Sequence, residues 1–529
     1  MNLSEKLSSA FAAFNTRNFD VALSLVDELK KSSSHAKKIF MLEAWIYFEQ
    51  DQYLRAFNVL EKLLPRFDLA DSYEKFLSAQ TSNRLGQICD ALSLTVEAVK
   101  FYRLAANLHD EKAKACAAMS NAIYIANALE NFSREDFQKL YAEYKSYLSD
   151  IVPFAPKFHT HKKIRVGFVS ADFHWHPTMN WSFALLTRLD KNFFATYFYS
   201  VNSVVDNLTR QIQFTADVWR NISALTDLQA AQLIRDDEID ILVDLSGHTS
   251  GNRLRVAAYR PASVQISGIG YINSTGLDCF DYFLSDEICA GDETYFTEKL
   301  IRLPHTHFCY TPNVEPEICA PPPHLQNGFV TFGCFNNFAK VTDTILAAWK
   351  KILDRVSESR LLLKHKIFDT PDGQKFVAER LESFGFNLKR VDMRGYTTNY
   401  LDDYSDIDVA LDTFPYTGGV TTCEALWLGV PVVSLYGSRH GTRFGLSMLA
   451  NVGLPELAAA TVDEYISRAV MLAGDWELLT LLRRNLRNMM KNSPLMDATA
   501  YVREVEKIFV RILLAALKKF CAVAIIARR

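Results

Sequence analysis

Asp412-Thr413-Phe414-Pro415-Tyr416-Thr417-Gly418-Gly419-Val420-Thr421-Thr422-Cys423-Glu424-Ala425-Leu426-Trp427 is the stretch whose reading decides the fold. It follows an apolar run, Ile407 to Leu411, and leads into a helical pattern, so it reads as strand, Gly-Gly turn, helix. Such a turn delivers hydroxyl residues to a helix N-terminus, whose unpaired N–H groups and positive dipole end suit a phosphate or pyrophosphate. Glu424, one turn into the helix, is placed to reach the hydroxyls of a ribose. Many α/β proteins use the same Gly-Gly turn merely to turn tightly, so its meaning depends on the rest of the chain.

The chain has 529 residues, more than one ordinary core holds, and is expected to form about three domains. Hydrophobic residues make up 49% and charged residues 22%, a normal soluble globular balance. A formal net charge of -3 speaks against a nucleic-acid partner, which needs a basic face. Met1-Asn2-Leu3-Ser4-Glu5 lacks the basic start of a signal segment. The nine cysteines contain no Cys-x-x-Cys pair, which fits a reduced compartment, and a cytoplasmic protein is expected.

The first 150 residues read as helix with few glycines or prolines. Within them Asn18-Phe19-Asp20-Val21-Ala22, Gln52-Tyr53-Leu54-Arg55-Ala56 and Gln87-Ile88-Cys89-Asp90-Ala91 share a polar-apolar-x-x-Ala pattern, with alanines 34 and 35 residues apart. That period is similar to tetratricopeptide repeats, whose stacked helices offer a concave surface to protein segments. A polar connector with Pro153 and Pro156 runs to His159-Thr160-His161-Lys162-Lys163; with no acidic or cysteine companion nearby, the two histidines read as a solvated linker, not a metal pair.

From Ile164 strands and helices alternate. Ile164 to Ser170, Phe194 to Val201, Ile239 to Leu245, Val264 to Tyr271 and Lys299 to Leu303 are strands of a first block. After the break at Ala320-Pro321-Pro322-Pro323, Phe329 to Phe335, Arg360 to Lys364, Val409 to Leu411 and Val432 to Leu435 begin a second. The fold class is therefore α plus α/β: helical repeats over 1–150, a linker over 151–163, and two Rossmann-like domains over 164–325 and 326–508. Ligands in this architecture bind in the cleft beyond the strands' carboxyl ends. From Ile512 to Ala527 the chain is apolar, broken by Lys518-Lys519 and ending Arg528-Arg529. Residues 509–529 are expected to form a helix packing back on the body, with interfacial membrane contact as the alternative.

Four clusters fall at strand ends: Asp172-Phe173-His174-Trp175-His176-Pro177-Thr178, Ser246-Gly247-His248-Thr249-Ser250-Gly251, Phe335-Asn336-Asn337-Phe338-Ala339-Lys340, and the Gly-Gly loop. With these motifs, in this order and behind the repeats, the region from Ile164 to about Glu456 resembles the catalytic half of the O-linked N-acetylglucosamine transferase family, the SPINDLY-like glycosyltransferases. It looks like the short bacterial members, which lack the large insert of the animal enzymes.

The resemblance implies the two-domain GT-B arrangement, a nucleotide sugar donor (UDP-GlcNAc in first place), a protein acceptor bound along the repeats, and no metal or other cofactor. It makes Lys340 the cation on the donor pyrophosphate, with Asn337, Gly418, Gly419, Thr421 and Thr422 around it and Glu424 holding the ribose. It places His176 near acceptor and sugar, as general base or as a positioning group. His248 and Tyr271 fall on the acceptor or sugar side, though His248 also reads as a hydrogen-bonded loop histidine.

Departures from the family pattern concern the base and the loop. Tyr400 replaces a histidine that stacks on uracil, and Thr397 falls where a lysine meets the base region. Gly419 and Val420 stand for a histidine and a threonine, Asn337 for a glutamine, and Glu424 for an aspartate. These leave UDP against GDP open, so GDP-fucose to Ser/Thr and UDP-glucose to Asn remain alternatives, as does a silent repeat scaffold. Asp406-Ile407-Asp408 has an Asp-x-Asp look but opens a strand and is read as structural.

Overall fold

The computed structural model describes residues 3–31, 36–312, 315 and 321–526. Ala320 of the proline-rich break, Met1, Asn2 and the terminal Ala527, Arg528 and Arg529 lie outside them. Among the described residues eight α-helices come first: Leu3–Asn15, Phe19–Lys30, Ala36–Glu49, Tyr53–Leu63, Ser72–Ala91, Thr95–Leu108, Lys112–Ala126 and Arg134–Ser146.

Three of their hairpins turn in the same way. Arg17, Asp51 and Ser93 take left-handed φ of 58°, 56° and 62°. The residue after each donates its amide back across the turn, Asn18 to Ala13 at 2.8 Å, Gln52 to Tyr47 at 2.8 Å and Leu94 to Cys89 at 2.7 Å. This corrects the third repeat unit. The counterpart of Ala22 and Ala56 is Ala98, fully buried like them, whereas Ala91 closes the preceding helix. The reason is the 20-residue helix Ser72–Ala91, six residues longer than Ala36–Glu49, which stretches the spacing beyond a fixed period.

Two doubly wound parallel sheets follow. The first comprises β1 (Ile164–Ser170), β2 (Phe194–Ser200), β3 (Val218–Asn221), β4 (Ile241–Asp244), β5 (Val264–Gly268), β6 (Tyr282–Asp286) and β7 (Lys299–Leu303), in the order β3-β2-β1-β4-β5-β6-β7. The second comprises β8 (Thr331–Cys334), β9 (Arg360–Lys364), β10 (Val391–Arg394), β11 (Val409–Leu411), β12 (Val432–Leu435) and β13 (Ala458–Ala459), in the order β10-β9-β8-β11-β12-β13. Strand order reverses beside β1 and beside β8, so each sheet opens a crevice there. The central strands are buried on both faces, as in β4 and β12, and were legible as apolar runs. Edge strands β3 and β10 are half-exposed and polar, and carry no such signal.

The C-terminal helix runs from Ala498 to Ile526 and packs on helix Met179–Arg188 and on β5 and β7 of the first sheet. Glu506 accepts the Asp190 amide at 2.6 Å, and the rings of Phe509 and Phe194 lie 6.4 Å apart. No helix of the described residues is long and apolar enough to cross a membrane.

The last two repeat-region helices dock on both sheets. Tyr141 donates to the Ser274 carbonyl at 3.0 Å, Asn273 to Asn127 at 2.9 Å, and Arg255 to Asp150 at 2.7 Å, all toward the first domain. Toward the second, Thr344 donates to Glu130 at 2.6 Å and Arg439 to the Leu129 carbonyl at 2.9 Å. Gly276 (φ 70°) lets the chain pass under Tyr141: a Cβ there would sit 2.1 Å from the ring. Gly276→Ala combines backbone strain with that clash and is expected to cost about 2–4 kcal/mol. Calorimetry should show the repeat region melting ahead of the sheets; a single unchanged transition would refute the docking role.

Candidate active site

The Gly-Gly loop is built on a buried carboxylate. Asp412 directly follows β11; its Oδ1 accepts the Thr413 amide at 2.8 Å, the Gly418 amide at 2.6 Å and the Asn336 amide group at 3.4 Å. Its Oδ2 accepts the Ser434 hydroxyl at 2.6 Å. Burial pushes the carboxyl above its usual range, and these donors pull back. The glycine requirement here is spatial, not conformational. A Cβ on Gly418 would lie 2.5 Å from Thr422 Oγ1, 2.8 Å from Thr421 Oγ1 and 2.9 Å from Asp412 Oδ1. On Gly419 it would meet only Trp181 Cζ2, at an ordinary 3.5 Å.

With Gly418 tied to Asp412, the amides of Gly419, Val420 and Thr421 carry no hydrogen bond within the described residues. They open the helix Val420–Trp427, so three amides and a helix N-terminus face one place. Lys340 comes to the same loop from the short turn Phe338–Lys340 after β8: its Nζ is 3.4 Å from the Thr417 carbonyl and 3.8 Å from the Tyr416 ring centroid. It enters no ion pair among the described residues. A half-buried ammonium beside unbonded amides has the chemistry that suits an anion.

One turn into that helix, Glu424 accepts the Tyr400 hydroxyl at 2.5 Å. Burial raises the Glu424 carboxyl to about 7, the tyrosine hydrogen bond opposing it. The Tyr400 ring also stacks on Tyr396, with centroids 6.4 Å apart and planes at 27°. Lys364 of β9 donates to Thr397 Oγ1 at 3.0 Å and pairs with Asp403, so a buried lysine from another strand stands beside the threonine.

Asn337 is exposed and caps its own turn through the Ala339 amide at 3.0 Å. It is the neighbouring Asn336, buried, that accepts the Thr421 hydroxyl at 2.9 Å and reaches Asp412. Alternation along an extended segment sends adjacent side chains to opposite sides, and a single sequence does not say which one faces in.

His176, across the cleft, is half-exposed. Its Nδ1 accepts the Thr178 amide at 3.3 Å and lies 3.1 Å from the Thr178 hydroxyl and 3.5 Å from the buried Asp172 carboxylate. Burial lowers its pKa, while Asp172 opposes. With Nδ1 accepting an amide, the neutral ring carries its proton on Nε2 and presents a donor. The helix that follows, Met179–Arg188, sets Trp181 beside Gly419 of the Gly-Gly loop.

His248 and Tyr271 differ from expectation. His248 is fully buried between domains, its Nδ1 3.0 Å from Ser120 Oγ and its Nε2 2.8 Å from the Thr275 carbonyl. Burial lowers it to about 4. Tyr271 is 1% exposed and its hydroxyl accepts from Asn127 at 3.3 Å. Both anchor the repeats instead of lining the acceptor side, because helix Lys112–Ala126 covers them, a packing no local pattern announces.

The linker histidines are corrected as well. His159 and His161 are mostly buried and meet an acidic companion, Glu238, at 3.3 and 3.7 Å. Lys157 and Arg165 share that carboxylate, each at 3.5 Å, which supplies its countercharge. Asp408 pairs with His324 at 2.8 Å and Asp406 with Arg394 at 2.6 Å, so the Asp-x-Asp residues are spent on structure.

Gly418→Ala should lower the thermal midpoint by several degrees while Gly419→Ala leaves it within about one degree; equal effects would refute the spatial account. Glu424, raised in the fold, stabilises below its unfolded pKa and loses that contribution as pH rises through about 7. Glu424→Gln is therefore expected to raise the midpoint at pH 8.5 and leave it unchanged at pH 4, below the unfolded value of 4.5. A variant less stable than wild type at both pH values would overturn the assignment.

The model of glycosyl transferase family 41 matches residues 148–312 and 323–505. A tomato (Solanum lycopersicum) protein described as a probable UDP-N-acetylglucosamine–peptide N-acetylglucosaminyltransferase SPINDLY is 38% identical over 382 residues, 70% of this chain and 40% of its own. The Caenorhabditis elegans UDP-N-acetylglucosamine–peptide N-acetylglucosaminyltransferase is 24% identical over 467 residues, 65% of this chain and 40% of its own. The chain thus spans about 40% of the length of the curated relatives it matches. The solved structure of a mutant Thermobaculum terrenum O-GlcNAc transferase superposes with TM-score 0.83 at 28% identity, covering 98% of both chains. The two Rossmann-like domains are the GT-B arrangement, and the chain belongs to glycosyl transferase family 41.

Proposed function

We propose that this protein is an inverting, metal-independent protein glycosyltransferase that moves a sugar, N-acetylglucosamine from UDP-GlcNAc, to Ser or Thr hydroxyls of a protein acceptor. The observation that carries the reading is the Lys340 ammonium beside the free amides of Gly419, Val420 and Thr421. A nucleotide diphosphate there meets a cation and preorganised donors where negative charge grows as it leaves. The relatives' descriptions, which name UDP-GlcNAc and peptide, support the donor and acceptor classes.

In this scheme the acceptor oxygen attacks the anomeric carbon in line, and the bond from that carbon to the phosphate oxygen breaks. The diphosphate leaves with the electron pair, held by Lys340, the loop amides, Thr421 and Thr422. Glu424 and Tyr400 hold the ribose and base side. His176 donates through Nε2–H to position acceptor or sugar, and a donor phosphate oxygen takes the hydroxyl proton. Negative charge is met without a metal. The repeats hold the acceptor protein along their concave face, in the cytoplasm, where the eight described cysteines would stay free as they are here.

Calorimetric titration with UDP, GDP, UDP-GlcNAc, UDP-glucose and GDP-fucose, beside Lys340→Ala, tests the reading. Binding of the UDP species, weakened about tenfold or more in the variant, is expected. Preference for GDP would move the sugar to fucose, preference for UDP-glucose would move the acceptor toward Asn, and no nucleotide binding would leave a silent repeat scaffold.

A further inference from the structure

Lys340 carries a mobile four-carbon stem, and the observed position of its ammonium rests on two contacts: the Thr417 carbonyl at 3.4 Å and the face of Tyr416 at 3.8 Å, well inside the reach of about 6 Å over which a ring attracts a cation. The Tyr416 backbone is fixed from its own domain, its carbonyl accepting the Thr413 hydroxyl at 2.8 Å. Its ring is fixed from elsewhere. The Tyr416 hydroxyl lies 3.0 Å from that of Tyr124, and the two rings meet edge to face at 6.0 Å and 82°. Tyr124 belongs to helix Lys112–Ala126 of the repeat region. That helix is itself held to the first sheet by Ser120 on His248, and Asn127 just beyond it by Tyr271 and Asn273.

We infer that the repeat region completes the donor site: Tyr124 orients Tyr416, and the Tyr416 ring holds the Lys340 ammonium at the phosphate-binding loop. The inference rests on the donor reading of that loop. Tyr124 and Tyr416 are positioning residues, acting on the diphosphate through Lys340. A displacement of helix Lys112–Ala126, as when an acceptor segment lies along the repeats, thereby reaches the leaving-group cation.

The test compares affinities for UDP and for uridine in the full chain (GDP and guanosine if the titration above selects guanine). Their ratio reads the diphosphate contacts alone; general damage to the domain lowers both affinities and leaves the ratio. Tyr416→Leu, which removes the ring, is expected to lower the ratio about three- to tenfold with uridine affinity unchanged. Tyr124→Phe and Tyr416→Phe each remove one hydroxyl and should lower it about twofold, the double variant no further, since both break the same contact. An unchanged ratio in Tyr416→Leu, while Lys340→Ala collapses it, would overturn this inference and leave the donor site standing. A ratio unmoved by Lys340→Ala would overturn both. Additive losses in the double Phe variant would refute the Tyr124–Tyr416 link.

Discussion

One buried carboxylate organises the candidate site. An ionisable group without water is costly unless donors surround it, and Asp412 is met by two backbone amides, a hydroxyl and a side-chain amide. Satisfying it dictates the rest. The loop must double back so that the Gly418 amide reaches Oδ1, which brings residue 418 too close to Thr421 and Thr422 for any side chain. The next three amides, at the start of the helix, carry no hydrogen bond within the described residues. The free amides beside Lys340 belong to the start of that helix, and the tie between Gly418 and Asp412 positions them.

The second constraint is the docking of the repeat region. Its last helices stand on the first sheet through Tyr141, Asn127 and Ser120, and reach the second through Tyr124, Glu130 and Leu129. Two tandem Rossmann-like domains ordinarily move against each other. Here a third element touches both. The C-terminal helix adds to this by leaving the second domain and packing on the first.

Within the site, legibility followed chain locality. Lys340, Gly418, Thr421, Thr422, Glu424 and Tyr400 stand in two short motifs and a helix turn, and the structure gathers them at one loop. Asn336 was overlooked in favour of Asn337 because only the direction of a side chain separates them. Tyr416 and Trp181 were overlooked because their roles come from elements hundreds of residues away. His248 and Tyr271 looked like cleft residues from their loops, and became anchors once a helix from the repeats covered them.

By itself the sequence determined the fold class: apolar runs at buried strands, a helical N-terminal region, and a Gly-Gly turn feeding a helix are set by local sterics and by the periodicity of burial. It also determined that a cation and hydroxyls lie at strand ends, where parallel sheets bind ligands. Only the tertiary structure decided where the repeat frame breaks, since one lengthened helix shifts a period without altering any local pattern. Only it decided that Glu238 meets the linker histidines, that Asp412 is the acid around which the loop closes, and that Tyr124 reaches Tyr416. Glu238 and Tyr124 meet residues far apart in sequence, and Asp412, though Gly418 lies in its own window, is completed by Asn336 and Ser434 from distant segments. Such contacts are fixed by how whole domains pack, and no window of the chain contains both partners.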